Sequence, residues 1–170
     1  TQSLGNRSSS ATSDNDCNWL QWSGATNGST VETFAWESGK SMWMKARLKL
    51  LEVTQTDMAI GLYVTDTDPL AITDGLWFSK TDGSTSLVFN SAKSNVSEAV
   101  TVATLADATY FTCGFWYDAN MGSLTIYYND NPVGVVAAPG TTCPTTELAV
   151  SFGVQNGQNA VASVLSLDFL

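Results

Sequence analysis

Histidine is absent from all 170 residues. That removes the commonest general base and the commonest metal ligand together. Basic residues are scarce: seven Lys and Arg face sixteen Asp and Glu, for a net charge of −9, and none lies beyond Lys93. Such a chain repels phosphate and anionic headgroups, so neither nucleic acid nor a membrane is expected as a partner. Cysteine is sparse and odd in number, with Cys17, Cys113 and Cys143 far apart in the chain. Secreted disulfide frameworks are denser and even, so free thiols of a reducing compartment are expected, with a single Cys17–Cys143 or Cys113–Cys143 link as the alternative. No apolar run approaches the length of a membrane-spanning helix, and no charged-then-apolar leader opens the sequence. A start at Thr1 reads as a trimmed end or a lost initiator Met. The sequons at Asn6, Asn27 and Asn95 matter only in a secretory pathway, which nothing else suggests.

What is present is strand material. Hydrophobic residues make up 44% of the chain, with six Trp, five Tyr and seven Phe, and such side chains suit a pleated surface. Residues 1–16, rich in Ser, Thr, Asn and Asp, read as a polar N-terminal arm, extended or disordered in isolation. Residues 17–170 read as one β-sandwich domain, a size that can bury its own core. After a first short strand around Trp19–Trp22, short apolar segments recur: Met42–Leu51, Met58–Val64, Gly75–Phe78, Thr85–Phe89, Ala99–Ala103, Tyr110–Tyr117, Ser123–Tyr128, Val133–Val136, Leu148–Val154 and Ala162–Phe169. Asp82-Gly83, Asn120-Met121-Gly122 and Asn129-Asp130 are among the reversals between them. The pattern predicts an all-β, antiparallel two-sheet jelly roll, with one short helical turn around Thr104–Ala108. Met42, Met44, Ala46, Leu48 and Leu50 alternate with Trp43, Lys45, Arg47 and Lys49, so the first set faces the core and the second faces solvent or a partner. Tyr110–Tyr117 is apolar on both sets, which predicts a central strand covered on both faces, with Cys113 a small buried hydrophobe.

Several stretches together resemble a family of tailed-phage virion proteins. They are Glu37-Ser-Gly-Lys-Ser-Met-Trp-Met-Lys-Ala-Arg-Leu-Lys-Leu, Ile60-Gly-Leu-Tyr-Val-Thr-Asp-Thr-Asp-Pro-Leu and Ile72-Thr-Asp-Gly-Leu-Trp-Phe-Ser-Lys-Thr-Asp-Gly. Ala103-Thr-Leu-Ala-Asp-Ala-Thr-Tyr-Phe-Thr-Cys-Gly-Phe-Trp-Tyr-Asp and Val150-Ser-Phe-Gly-Val-Gln-Asn-Gly continue it, so the resemblance spans most of Thr33 to Leu170. It implies a concanavalin A-like (laminin-G-like) jelly roll and a capsid-associated role. On that reading the chain is a non-enzymatic decoration or cement protein that binds the major capsid protein, made in the host bacterial cytoplasm and sited on the virion surface. A homotrimer or capsid-imposed trimer is expected, because closed association protects sheet edges. The alternative is a carbohydrate-binding adhesin module of a phage head or tail fibre, since this fold hosts many functions.

The chemistry is thin for catalysis. The Glu-x-Asp-x-x-Glu pattern of glucanases on this fold is absent, and no Glu has an acid two residues later. A nucleophilic triad lacks its base. The chain is therefore expected not to be an enzyme, with no cofactor and no metal. Asp66, Asp68 and Asp74 offer hard oxygen ligands, but turn hydrogen bonding is the expected use and calcium the alternative. Trp77, Trp116, Asp118 and Asn129 are the candidates for a sugar platform, against core packing for most such aromatics.

The basic strand is the remaining clue. Lys45, Arg47 and Lys49 share a face with Trp43 in an otherwise acidic chain. Either cross-strand acids and solvent absorb these charges, or the four residues form a contact patch for an acidic capsid surface.

Overall fold

The computed structural model describes residues 5–8, 15–22, 24–26, 29–32, 34–35, 37, 39–66, 68, 70–137, 141–157 and 163–170. It is an antiparallel two-sheet sandwich with no α-helix among these residues. In chain order the strands are β1 (Gly5–Ser8), β2 (Cys17–Trp22), β3 (Gly24–Thr26), β4 (Ser29–Val31), β5 (Phe34–Ala35), β6 (Met42–Leu50), β7 (Thr56–Tyr63) and β8 (Gly75–Lys80). They continue as β9 (Ser86–Lys93), β10 (Val96–Thr104), β11 (Phe111–Asp118), β12 (Ser123–Tyr128), β13 (Asn131–Ala137), β14 (Glu147–Asn156) and β15 (Val164–Phe169).

One sheet, here the front sheet, runs β1-β15-β6-β11-β12-β13. The back sheet runs β10-β9-β8-β7-β14-β2, with β5 pairing the start of β14 and β3–β4 forming a separate hairpin. The inward set of β6 is the one that alternation predicts: Met44, Ala46, Leu48 and Leu50 are all buried. Ile60 and Leu62 from β7, Phe115 from β11 and Ile126 from β12 join them in one core between the sheets. Phe78 and Phe89 meet edge-on at 5.1 Å, and Phe89 meets Phe115 at 5.7 Å, which carries aromatic packing from the back sheet to the front.

Three expectations change. The polar arm is not wholly an arm: Gly5–Ser8 pairs antiparallel with Val164–Leu167 and forms an edge of the front sheet. The backbone ladder recruits this segment without needing large apolar side chains, so a hydrophobicity pattern cannot find it. Thr104–Ala108 forms no helical turn; β10 runs through Thr104, and Ala108 (φ 51°) donates its N–H to Leu50 O across the sandwich end. β11 is central, between β6 and β12, but only its Phe111, Cys113, Phe115 and Tyr117 face is covered. Trp116 on the opposite face is 42% exposed.

The β12–β13 reversal sets one end of the site described below. Asn129 (φ 46°) and Asp130 (φ 65°) are both left-handed, which matches the right-handed twist of a two-residue hairpin and suits Asn and Asp.

Candidate functional site

The outer face of the front sheet gathers most of the side chains that alternation turned away from the core. In the β6–β11 register Trp43 lies opposite Trp116, and Lys45 lies opposite Gly114. In the β11–β12 register Gly114 lies opposite Tyr127, and Trp116 opposite Thr125. The two tryptophans are therefore cross-strand neighbours on a solvent-facing surface, at 73% and 42% exposure. Gly114 leaves a gap between Lys45 and Tyr127. A Cβ there would meet Met44 O at 2.6 Å and Lys45 Cα at 3.3 Å, so the strands approach too closely for any larger residue. The result is a groove of about 410 Å³, floored by Gly114 and walled by Trp43, Trp116, Lys45, Tyr127 and Asp130.

The charges on this face are largely paired. Lys45 Nζ meets Asp130 Oδ1 at 2.7 Å from the β12–β13 turn, and Arg47 Nη1 donates to Asp168 Oδ2 at 2.5 Å from β15. The Arg47 guanidinium also lies 4.3 Å from the Tyr110 ring centre, with the Lys49 ammonium at 4.9 Å from the same ring. Cross-strand acids thus absorb two of the three cations gathered on β6. On the far side of Trp43 the sandwich opens into an apolar cleft of about 620 Å³ between the sheets, lined by Trp22, Met42, Leu62, Val150, Phe152 and Leu170 among others.

The sugar-platform candidates scatter. Trp116 is on the groove. Trp77 is on the outer face of the back sheet, buried beside Tyr63 at 6.4 Å and packed near Trp19 and Ile72, so its ring has no open face to offer. Asp118 Oδ1 accepts the backbone N–H groups of Asn120 and Met121, and Asn129 Oδ1 accepts that of Thr112. Those two residues shape hairpin ends. Trp43, placed by the sequence in a contact patch with Lys45, Arg47 and Lys49, shares that face with them and also stands beside Trp116. Asp130 and Gly114 were missed. Pairing β11 with β12 back from the Asn120-Met121-Gly122 reversal would have brought Tyr127 to Gly114, with Asp130 in the reversal that follows β12.

Other candidate chemistry resolves as structure. Asp66 and Asp68 accept the N–H groups of Asp68 and Leu70, which is turn bonding, and Asp74 accepts that of Ser94 in the β9–β10 reversal. All three cysteines are free thiols: Cys17 is exposed, Cys113 and Cys143 are buried. Burial raises the Cys113 thiol far above its ordinary value and pushes Cys143 up to about 11, so neither is a poised nucleophile. Lys80, which sequence reasoning passed over, is the one buried cation among the described residues. It is the last residue of β8 and donates to Thr56 O. Burial lowers its pKa, against the attraction of Asp57, Asp82, Glu52 and Asp107.

The fold is that of the concanavalin A-like jelly rolls. A carbohydrate recognition domain of Emp47p superposes with a TM-score of 0.66 at 12% identity, covering 99% of this chain and 82% of that one. The apo Crh5 transglycosylase gives 0.62 at 16% identity over 96% of this chain and 69% of its own. A Bacillus licheniformis β-glucanase gives 0.58 at 14% identity, covering 98% and 97%. No protein-family profile and no curated protein matches the chain. These neighbours correct the expectation of a non-enzymatic chain: glucanases and transglycosylases are built on this same fold, and the reading of this chain as a non-enzyme is withdrawn. The tailed-phage resemblance rests on the sequence stretches alone.

Proposed function

We propose that the outer face of the front sheet is a carbohydrate-binding surface. The observation that carries this reading is the exposed Trp43–Trp116 pair, in register across β6 and β11 and opening onto the groove over Gly114. Stacking needs flat apolar rings held open to solvent, and orientation needs polar groups converging beside them. Trp43, Trp116 and Tyr127 supply the rings; Lys45 and Asp130 supply the donors and acceptors. The fold supports the reading, since proteins described as carbohydrate recognition domains, glucanases and transglycosylases share it.

On this reading the chain is an adhesin-type module, and its placement on a phage head or tail fibre rests on the sequence resemblance. A glycan array with the recombinant chain, followed by calorimetry on the best ligand, tests it. Trp43→Ala combined with Trp116→Ala is expected to weaken binding by about 2 kcal/mol or more, with little change in melting temperature because both rings are exposed. Retention of full affinity by the double variant would overturn the platform. Reducing-end release from the bound glycan, measured in the same samples, would make the face an active site as well as a binding one.

A further inference from the structure

Resting on that reading, we propose that the preferred ligand class is an acidic polysaccharide, one carrying a carboxylate on its sugar units. Its ring faces stack on Trp43 and Trp116, and its carboxylates are met by Lys45, Arg47 and Lys49. The first ground is where the cations are. The chain carries −9 overall and only seven basic residues, yet three of them stand on one face of β6 beside the tryptophan pair. Same-face residues on a strand recur at about 6.6 Å, so the three cations form a row about 13 Å long. A row repels itself, and a polymer with a repeating negative charge relieves that repulsion along its whole length.

The second ground is that the row is only partly neutralised: Arg47 is held by a close, part-buried pair with Asp168, but its two neighbours are not. Asp130 and Asp168 pair with Lys45 and Arg47, while among the described residues no carboxylate pairs with Lys49. The Lys45–Asp130 pair is open to water, with side-chain exposures of 42% and 72%, and exposed pairs of this kind hold their partners loosely. Lys45 has three N–H donors and the Arg47 guanidinium five, so an incoming carboxylate shares them without first evicting the aspartates.

The third ground is preorganisation. The charged ends of Arg47 and Lys49 both lie over the Tyr110 ring, a contact that restrains two long side chains and cuts the ordering cost of binding. Carboxylate-bearing sugars fit this surface better than a phosphate polymer. The row ends in the uncharged rings of Trp43 and Trp116, which suit sugar faces.

Calorimetry and affinity electrophoresis with polygalacturonate, alginate and hyaluronate, each beside its carboxyl-reduced neutral form, give the test. At least one acidic polymer is expected to bind about tenfold or more tightly than its reduced form at low salt, with the gap narrowing as salt is raised. Arg47→Gln combined with Lys49→Gln should narrow that gap, with Lys45 still present, by weakening the acidic form more than the reduced one. Trp43→Ala should weaken both forms. If neutral glycans bind and no acidic form is preferred, this proposal falls while the carbohydrate reading stands. If neither acidic nor neutral glycans bind, both fall. Binding of an oligothymidylate as tightly as the best acidic polymer, and without need of Trp43, would also overturn it by making the face a general polyanion patch.

Discussion

Lys80 is the residue whose position most departs from composition-level expectation, because a cation at 1% exposure is rarely tolerated without compensation. Its hydrogen bond to Thr56 O and the ring of Glu52, Asp57, Asp82 and Asp107 provide that compensation, yet burial dominates and lowers its pKa from 10.5. A lowered folded-state pKa means the unfolded chain binds the proton more tightly, so stability rises with pH through the window between the lowered value and 10.5. Lys80→Met, which keeps the length and drops the charge, should fold and should lose that alkaline gain in urea titrations run at stepped pH. An identical pH slope in the variant would show that Lys80 does not titrate differently on folding. Gly114 makes an independent prediction. Its missing Cβ lies 2.6 Å from Met44 O, a backbone atom that cannot rotate away, so Gly114→Ala should destabilise by about 1–3 kcal/mol in chemical denaturation. In thiol titration Cys17 alone should react in the native protein, and all three cysteines after unfolding without reductant.

Single elements show what alternation can and cannot disclose. β6 was legible residue by residue, because a buried face beside an open one gives a clean two-residue period and a one-residue slip would expose Met44, Ala46 and Leu48 together. Its outer face was legible as a contact patch, but not the groove over Gly114 that the neighbouring strands complete. Which strand lies next to β6 is a matter of sheet order, and the partners Asp130 and Asp168 come from β12–β13 and β15, far away in sequence. Trp77 takes the packing expected of most such aromatics rather than the platform role: Tyr63, Trp19 and Ile72 pack around it on the outer face of the back sheet and bury its ring. β1 was illegible because backbone pairing alone defines it. Deleting residues 1–8 should therefore leave the core intact but strip the ladder partner from Val164–Leu167. Amide exchange in β15 should speed up while that of β7 and β8 stays slow. Unchanged protection in β15 would mean that β1 adds nothing to its stability.

At the scale of the whole molecule, sequence neighbours are often sheet neighbours from β6 to β13, but the ends of the chain break that habit. β14 lies between β7 and β2 in the back sheet, and β15 lies between β1 and β6 in the front sheet. The last two strands thus sit inside both sheets, and each also holds a strand from the first two dozen residues. A chain ending at Ala137 should show no cooperative melting and no dispersed amide spectrum, although it keeps about four-fifths of its length. A folded truncated chain would mean the remaining strands can close a core by themselves. The same arrangement bears on how the protein is made. While a ribosome is still adding the segment after Ala137, the strands already released have no completed sheet to join, and Leu62, Phe78 and Phe115 wait with their core partners missing. Folding waits on β14 and β15, so the nascent chain depends on chaperone shelter until both have emerged, and a product stopped before them is refuse for proteases rather than a smaller working domain.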